Sequence, residues 1–209
     1  MNESEFSSPA CSMRELERLA PPKSTSWEDV NAWRKLQREA LIKARPQEPN
    51  ERQLRSAPIL EQLATELRGA KIVGIYWPFR SEIDVRGLAH RHIEAGGIAA
   101  LPVVTEKNAA VEFWRWRPAA PMSRGLFNIP IPGEREIVVP DVLIVPLVGF
   151  DRRHYRLGYG GGYYDRTLAA SQPRPRTLAI AFAEAELDTI HPQPHDIPMS
   201  RIITDKGAS

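Results

Sequence analysis

The chain carries a single cysteine, Cys11, in 209 residues. One thiol can close no intrachain disulfide and build no multi-thiolate metal site, and such sparing use of cysteine fits a reducing compartment, so a cytoplasmic location is expected. Long hydrophobic runs are missing too. The longest apolar stretch, residues 137–150, is interrupted by Asp141 and by two prolines, and it falls short of the ~20 residues that cross a bilayer. The first 23 residues contain no basic start followed by an apolar segment, so no secretion signal is expected. Charge of one sign is not in excess: 28 basic against 26 acidic residues leave +2. That balance gives no reason to expect nucleic acid or a membrane surface as partner.

What is present describes a globular protein. Hydrophobic residues make up 42% and charged residues 26%, close to the average for folded domains. A chain of this length buries roughly 70% of its unfolded surface, enough to fold without disulfides or metal. Residues 1–23, rich in serine and holding Pro9, Pro21 and Pro22, read as a mobile N-terminal extension. Residues 24–209 read as one α/β domain. Ser26-Trp27-Glu28-Asp29 resembles a helix start, with a hydroxyl for an orphan amide and acids in the first turn. Val30, Trp33, Leu36, Ala40 and Ala44 follow at helical spacing as the expected apolar stripe. Arg34, Arg38 and Arg45 fall within about 40° of one another on its flank, where charges are ordinarily solvated. A second helix is expected over residues 51–67, with Leu54, Leu63 and Leu67 inward and Pro58 unsettling its first half.

Beyond it, strand-like runs at 71–77, 98–104, 111–116, 142–147 and 177–182 alternate with helical or loop segments, including a helix over 85–95 that stops at Gly96-Gly97. Several runs lack in/out alternation, as strands buried on both faces do. The alternation predicts a three-layer α/β/α domain with a mainly parallel sheet and helices on both sides. In Phe113-Trp114-Arg115-Trp116-Arg117 the two tryptophans are expected on one buried face and the arginines in solvent.

The most informative stretch is 142–168, VLIVPLVGFDRRHYRLGYGGGYYDRTL. A buried strand leads to Gly158, Gly160, Gly161 and Gly162, and a helix can open at Tyr163. Glycines let backbone amides approach an anion, and a following helix start adds a favourable dipole. Arg156 and Arg166 supply fixed positive charge, and Asp165 suits a phosphate-bound magnesium. Two common motifs fail. No Lys-Ser/Thr follows the last glycine, and Tyr163 stands where a dinucleotide fingerprint needs glycine.

The run from Arg156 to Arg166, preceded by Pro146-Leu147-Val148-Gly149-Phe150-Asp151, resembles the signature of the 5-formyltetrahydrofolate cyclo-ligase family. Further points of similarity are Tyr76, Pro78, Glu82 and Asp84, Pro102, the Phe127–Pro132 run, the basic segment Trp33-Arg34-Lys35…Arg38…Arg45, and Asp196 followed by Ile202-Ile203-Thr204. The resemblance spans roughly residues 26–204. It implies a doubly wound fold similar to that of sugar-phosphate isomerases and coenzyme A transferases. It also implies an ATP- and magnesium-dependent ligase that converts 5-formyltetrahydrofolate into 5,10-methenyltetrahydrofolate, releasing ADP and phosphate. On this resemblance the ATP site comprises Arg34, Lys35, Arg38, Arg156, Leu157, Gly158, Tyr159, Gly160, Gly161, Gly162, Tyr163 and Tyr164. The folate site comprises Trp77, Glu82 and Tyr159 through Tyr163, and Asp165 and Asp196 hold magnesium. Partners are then small molecules, and a monomer is expected. The alternatives are an isomerase or transferase of the same fold, and a non-catalytic nucleotide- or RNA-binding module.

Overall fold

The computed structural model describes residues 20–208; the expected extension lies almost wholly outside them. The first helix, α1 (Trp27–Ala44), starts where the capping pattern places it, with the Ser26 side chain accepting from the Asp29 amide. It ends at Arg45, which is extended (φ −56°, ψ 148°) because Pro46 crowds the helical conformation of the residue before it. Its buried face is Val30, Trp33, Arg34, Gln37 and Leu41. Leu36, expected inward, is 53% exposed, and a guanidinium takes the place of a hydrophobe. The second helix, α2 (Pro49–Glu66), tolerates Pro58 on an exposed face. Ile59, Leu63 and Leu67 are buried, whereas Leu54 faces solvent.

A seven-stranded sheet follows. Strand β1 (Ile72–Gly74) leads through α3 (Arg86–Glu94) to β2 (Ile98–Val103), and β3 (Glu112–Trp116) turns back along β2. After the hairpin of β4 (Met122–Arg124) and β5 (Pro130–Pro132), β6 (Val142–Pro146) pairs with β1 on its other side. The chain then forms β7 (Gly149–Asp151), β8 (Arg156–Leu157) and α4 (Tyr163–Ala170) before β9 (Arg176–Ala181). β10 (Glu186–Leu187) joins β7 and β8 in a small sheet, and β11 (Arg201–Thr204) and β12 (Gly207–Ala208) complete the large one. The order is β12-β11-β9-β6-β1-β2-β3, with the five inner strands parallel and both outermost strands antiparallel.

Apolar strands of this kind need cover on both faces, and they have it. Residues Ile59, Leu63, Leu67, Val85, Leu88 and Ala89 from α2 and the α3 region pack on one face. Leu168 of α4 packs on the other, with Phe113, Leu143 and Val145. The expected three layers are therefore present. Strand order departs in opposite directions from β1 and β6, and the carboxyl ends of such a pair form the usual crevice of an open α/β sheet. Helix α1 does not cover the large sheet; Leu41 packs with Val148, Leu157 and Ile190 beside the small sheet, which brings its basic flank over that crevice. Strand β3 is buried on both faces, through Trp116 on one and Phe113 on the other; the two tryptophans share a face, as expected, but Phe113 makes the arginine face part of the core as well. Arg115 and Arg117 both pair with Glu136.

Candidate active site at the strand switch point

The loop between β8 and α4 carries the glycines. Gly160 (φ 96°) and Gly162 (φ 64°) adopt left-handed backbone, which glycine enters without a Cβ clash. At Gly161 a Cβ would lie 2.8 Å from the Tyr163 ring. Gly162 is the N-cap of α4 and no side chain caps that helix, so its first amides keep their affinity for an anion. Arg38 donates through Nε to the Gly158 carbonyl at 2.7 Å, and its guanidinium carbon lies 3.5 Å from where a Gly160 Cβ would stand. Burial and the neighbouring Arg34 lower its pKa. A cation so placed gains from a polyphosphate. Arg166 is held differently: it donates to the Gly161 and Ala109 carbonyls and lies over the Tyr163 ring, bracing the loop from behind.

Two buried arginine–aspartate pairs support the loop. Arg156 grips Asp165 with both Nη atoms, at 3.0 and 2.9 Å. Asp165 also accepts from the Ile197 amide, which ties it to the residue that follows Asp196. Arg34 donates to Asp196 at 2.6 Å and to the Ile190 and His191 carbonyls. Only 4% of Arg34 is exposed; three protein acceptors commit it to anchoring the C-terminal segment more than to an incoming phosphate. Breaking a buried pair of this sort typically costs about 3–5 kcal/mol.

Across the crevice, Glu82 accepts from the Tyr159 hydroxyl at 2.7 Å and from the Phe79 amide at 2.9 Å. Burial pushes the Glu82 carboxyl above its ordinary value, opposed by the Tyr159 hydrogen bond and by Arg45. Burial, with the charge of Glu82, also pushes Tyr159 up. Tyr164 is raised by the same two causes, and its buried hydroxyl has no hydrogen-bond partner. Next to this cluster runs a groove of about 450 Å³ lined by Trp77, Pro78, Phe79, Arg124, Phe127, Asn128, Ile129 and Pro130. Its mouth is aromatic: Phe79 meets Tyr159 and Phe127 meets Tyr163, each at 6.2 Å between ring centroids. Flat heterocycles fit such walls.

The model of the 5-formyltetrahydrofolate cyclo-ligase family matches residues 30–205, from the first turns of α1 through β11. The chain belongs to the 5-formyltetrahydrofolate cyclo-ligase family. Among its relatives, the 5-formyltetrahydrofolate cyclo-ligase of Mycolicibacterium smegmatis is 33% identical over 159 residues, covering 70% of this chain and 81% of the relative. That of Haemophilus influenzae is 31% identical over 145 residues, 66% and 78% of the two chains. The structure of Aquifex aeolicus 5,10-methenyltetrahydrofolate synthetase superposes with a TM-score of 0.67 at 26% identity, covering 86% of this chain and 91% of that one.

Measured against the residues that cyclo-ligase membership led us to expect, most converge. Arg38, Gly158 to Tyr164, Glu82, Trp77 and the Asp165/Asp196 pair all border the crevice or the groove. Lys35 is exposed on α1. Leu157 is a core residue at 1% exposure, so only its backbone can serve a ligand. Sequence reasoning missed Phe79 and Arg45 as site residues and recorded Phe127 only as part of a matching run. The available signal for Phe127 was an aromatic side chain among turn-forming residues, Phe127-Asn128-Ile129-Pro130; it is 65% exposed.

Proposed function

We propose that this protein uses ATP to cyclise 5-formyltetrahydrofolate to 5,10-methenyltetrahydrofolate, with the triphosphate on the glycine loop and the pterin in the aromatic groove. The observation that carries the reading is the juxtaposition, through Tyr159, of an anion-binding loop with a buried carboxylate and a flat aromatic slot. Family membership supplies the reaction. A formamide carbon is a poor electrophile and oxide cannot leave. Transfer of the γ-phosphoryl group to the formyl oxygen, releasing ADP, gives an iminium-like phosphate. The N10 lone pair then attacks the formyl carbon, the N10 proton departs, and the C–O bond breaks to release phosphate. Such chemistry asks the protein chiefly for alignment and charge neutralisation.

The chain's residues take those tasks. Amides of the loop and of the start of α4, together with Arg38, hold the phosphates. Arg156 and Arg34 fix Asp165 and Asp196. Glu82, with Tyr159, accepts from a polar edge of the pterin, and Trp77, Phe79 and Phe127 wall its flat faces. The unpartnered Tyr164 hydroxyl is a donor for the same region. The two aspartates fit a magnesium ion: Asp165 Oδ2 carries one hydrogen bond, and Asp196 Oδ1 has only the His195 imidazole at 3.9 Å. Magnesium takes one or two carboxylates and completes its shell with water and phosphate, and when bound it would neutralise the triphosphate. No helix among the described residues is long and apolar enough to cross a membrane. The single cysteine is the feature that supports action in the cytoplasm.

Incubation with 5-formyltetrahydrofolate, ATP and magnesium should yield the near-ultraviolet absorbance of the methenyl product, dependent on both substrates. Folded protein giving no such absorbance would overturn the assignment.

A further inference from the structure

Arg45 lies outside the residues expected to bind either substrate, yet it makes three hydrogen bonds at the crevice, as many as the buried Arg34. Its Nη1 donates to the Arg80 carbonyl at 2.7 Å and to the Tyr159 hydroxyl at 2.9 Å; its Nη2 donates to the Leu147 carbonyl at 2.9 Å. Arg80 follows β1 and Leu147 follows β6, so one guanidinium ties together the carboxyl ends of the two strands between which the order reverses. Pro46 ends α1 at this residue and is itself buried, so the side chain issues from a fixed point. A guanidinium can only donate. The Tyr159 oxygen must therefore accept from Arg45, and its single proton is directed to Glu82. Glu82 in turn accepts from Tyr159 with Oε1 and from the Phe79 amide with Oε2. The polarity of the whole chain is set at its Arg45 end.

We infer that Arg45 is a positioning residue for the folate side of the site, holding Tyr159, and through it the Glu82 carboxylate, in the orientation that meets the pterin. This rests on the function proposed above. Arg45 touches neither substrate in that reading; it acts by fixing the groups that do. Glu82 is faced by Tyr76 and by Arg45 from outside the loop, by Tyr159 and Tyr164 from the loop and α4, and Glu184 lines the same small cavity. Arg45 is the one cation in that set. Its removal therefore raises the Glu82 carboxyl further.

The test compares the wild type with Arg45→Met and Arg45→Lys. In Arg45→Met the KM for 5-formyltetrahydrofolate should rise about tenfold or more while the KM for ATP stays within about twofold. The acid limb of kcat/KM for the folate should move to higher pH. Arg45→Lys keeps the charge without the fork, so it should restore the acid limb but only part of the KM. Hydrogen exchange on the ligand-free proteins gives a readout independent of turnover. Residues 79–82 and 158–162 should exchange faster in Arg45→Met, with α2 unchanged. Unchanged exchange in those two segments, or equal KM losses for both substrates with an unmoved acid limb, would overturn the inference. A wild type that makes no methenyl product would sink the proposed function instead, and the exchange comparison would still decide the role of Arg45.

Discussion

Glu82 shows how one residue can cost stability for the sake of its chemistry. An acid whose pKa is raised on folding binds more protons folded than unfolded, so its contribution falls as pH climbs above its ordinary value of 4.5 toward the raised one. Glu82→Gln should therefore unfold no more readily than the wild type at pH 7–8 and gain slightly over it, the gain vanishing near pH 4 and below. Its affinity for 5-formyltetrahydrofolate should drop while that for ATP holds. Urea unfolding across pH, alongside substrate titration, checks both halves; a loss of stability at neutral pH would contradict the argument. In the two arginine–aspartate pairs, by contrast, removing either partner would leave a buried charge uncompensated.

Among the elements, the glycine loop carries a sharp internal contrast. Gly160 has φ 96°, and Gly158 has ordinary backbone with open space where a Cβ would go. Gly160→Ala should lose about 1–3 kcal/mol through backbone strain, whereas Gly158→Ala should stay within about 0.5 kcal/mol. Urea midpoints of the two variants measure the difference; equal losses would mean that the left-handed conformation is not what the loop requires. Much at this scale was readable in advance. The Ser26 cap, the ends of α3 at Gly96-Gly97, the parallel inner strands and the loop before α4 all follow from local chemistry. Leu36 and Leu54 misled because helical spacing marks a stripe without saying which neighbours will cover it; Arg34 occupies the inward face since carbonyls at 190 and 191 wait there. Strands β4, β5, β7, β8, β10 and β12 run two or three residues each, too short for any period to register, and they are defined only by the partner strand each one pairs with. Arg45 escaped for a related reason. Its role depends on Arg80, Leu147 and Tyr159, 35, 102 and 114 residues away, and nothing nearby in the chain distinguishes it from a solvated charge.

Taken whole, the molecule is also tied by charge just past the carboxyl ends of β9 and β11. Arg55 of α2 bridges Glu184 and Asp205, and Asp205 also accepts from the Ala183 amide. Ending the chain after Thr204 removes both Asp205 and β12. The truncated protein should melt several degrees lower and scatter light on warming, and an unaltered melting curve would show that this corner contributes nothing. The reason for the scattering lies in how the large sheet finishes on its two sides. On one, the outer rung of β3 is already taken: Arg115 donates to the Glu136 carbonyl and the Val138 amide to Phe113. On the other, β12 offers only two residues. Exposed strand margins recruit further chains, and five contiguous apolar strands would make an inviting template for fibre growth. These two small closures leave an arriving copy nothing to zip onto, so the sheet's most adhesive property stays turned inward.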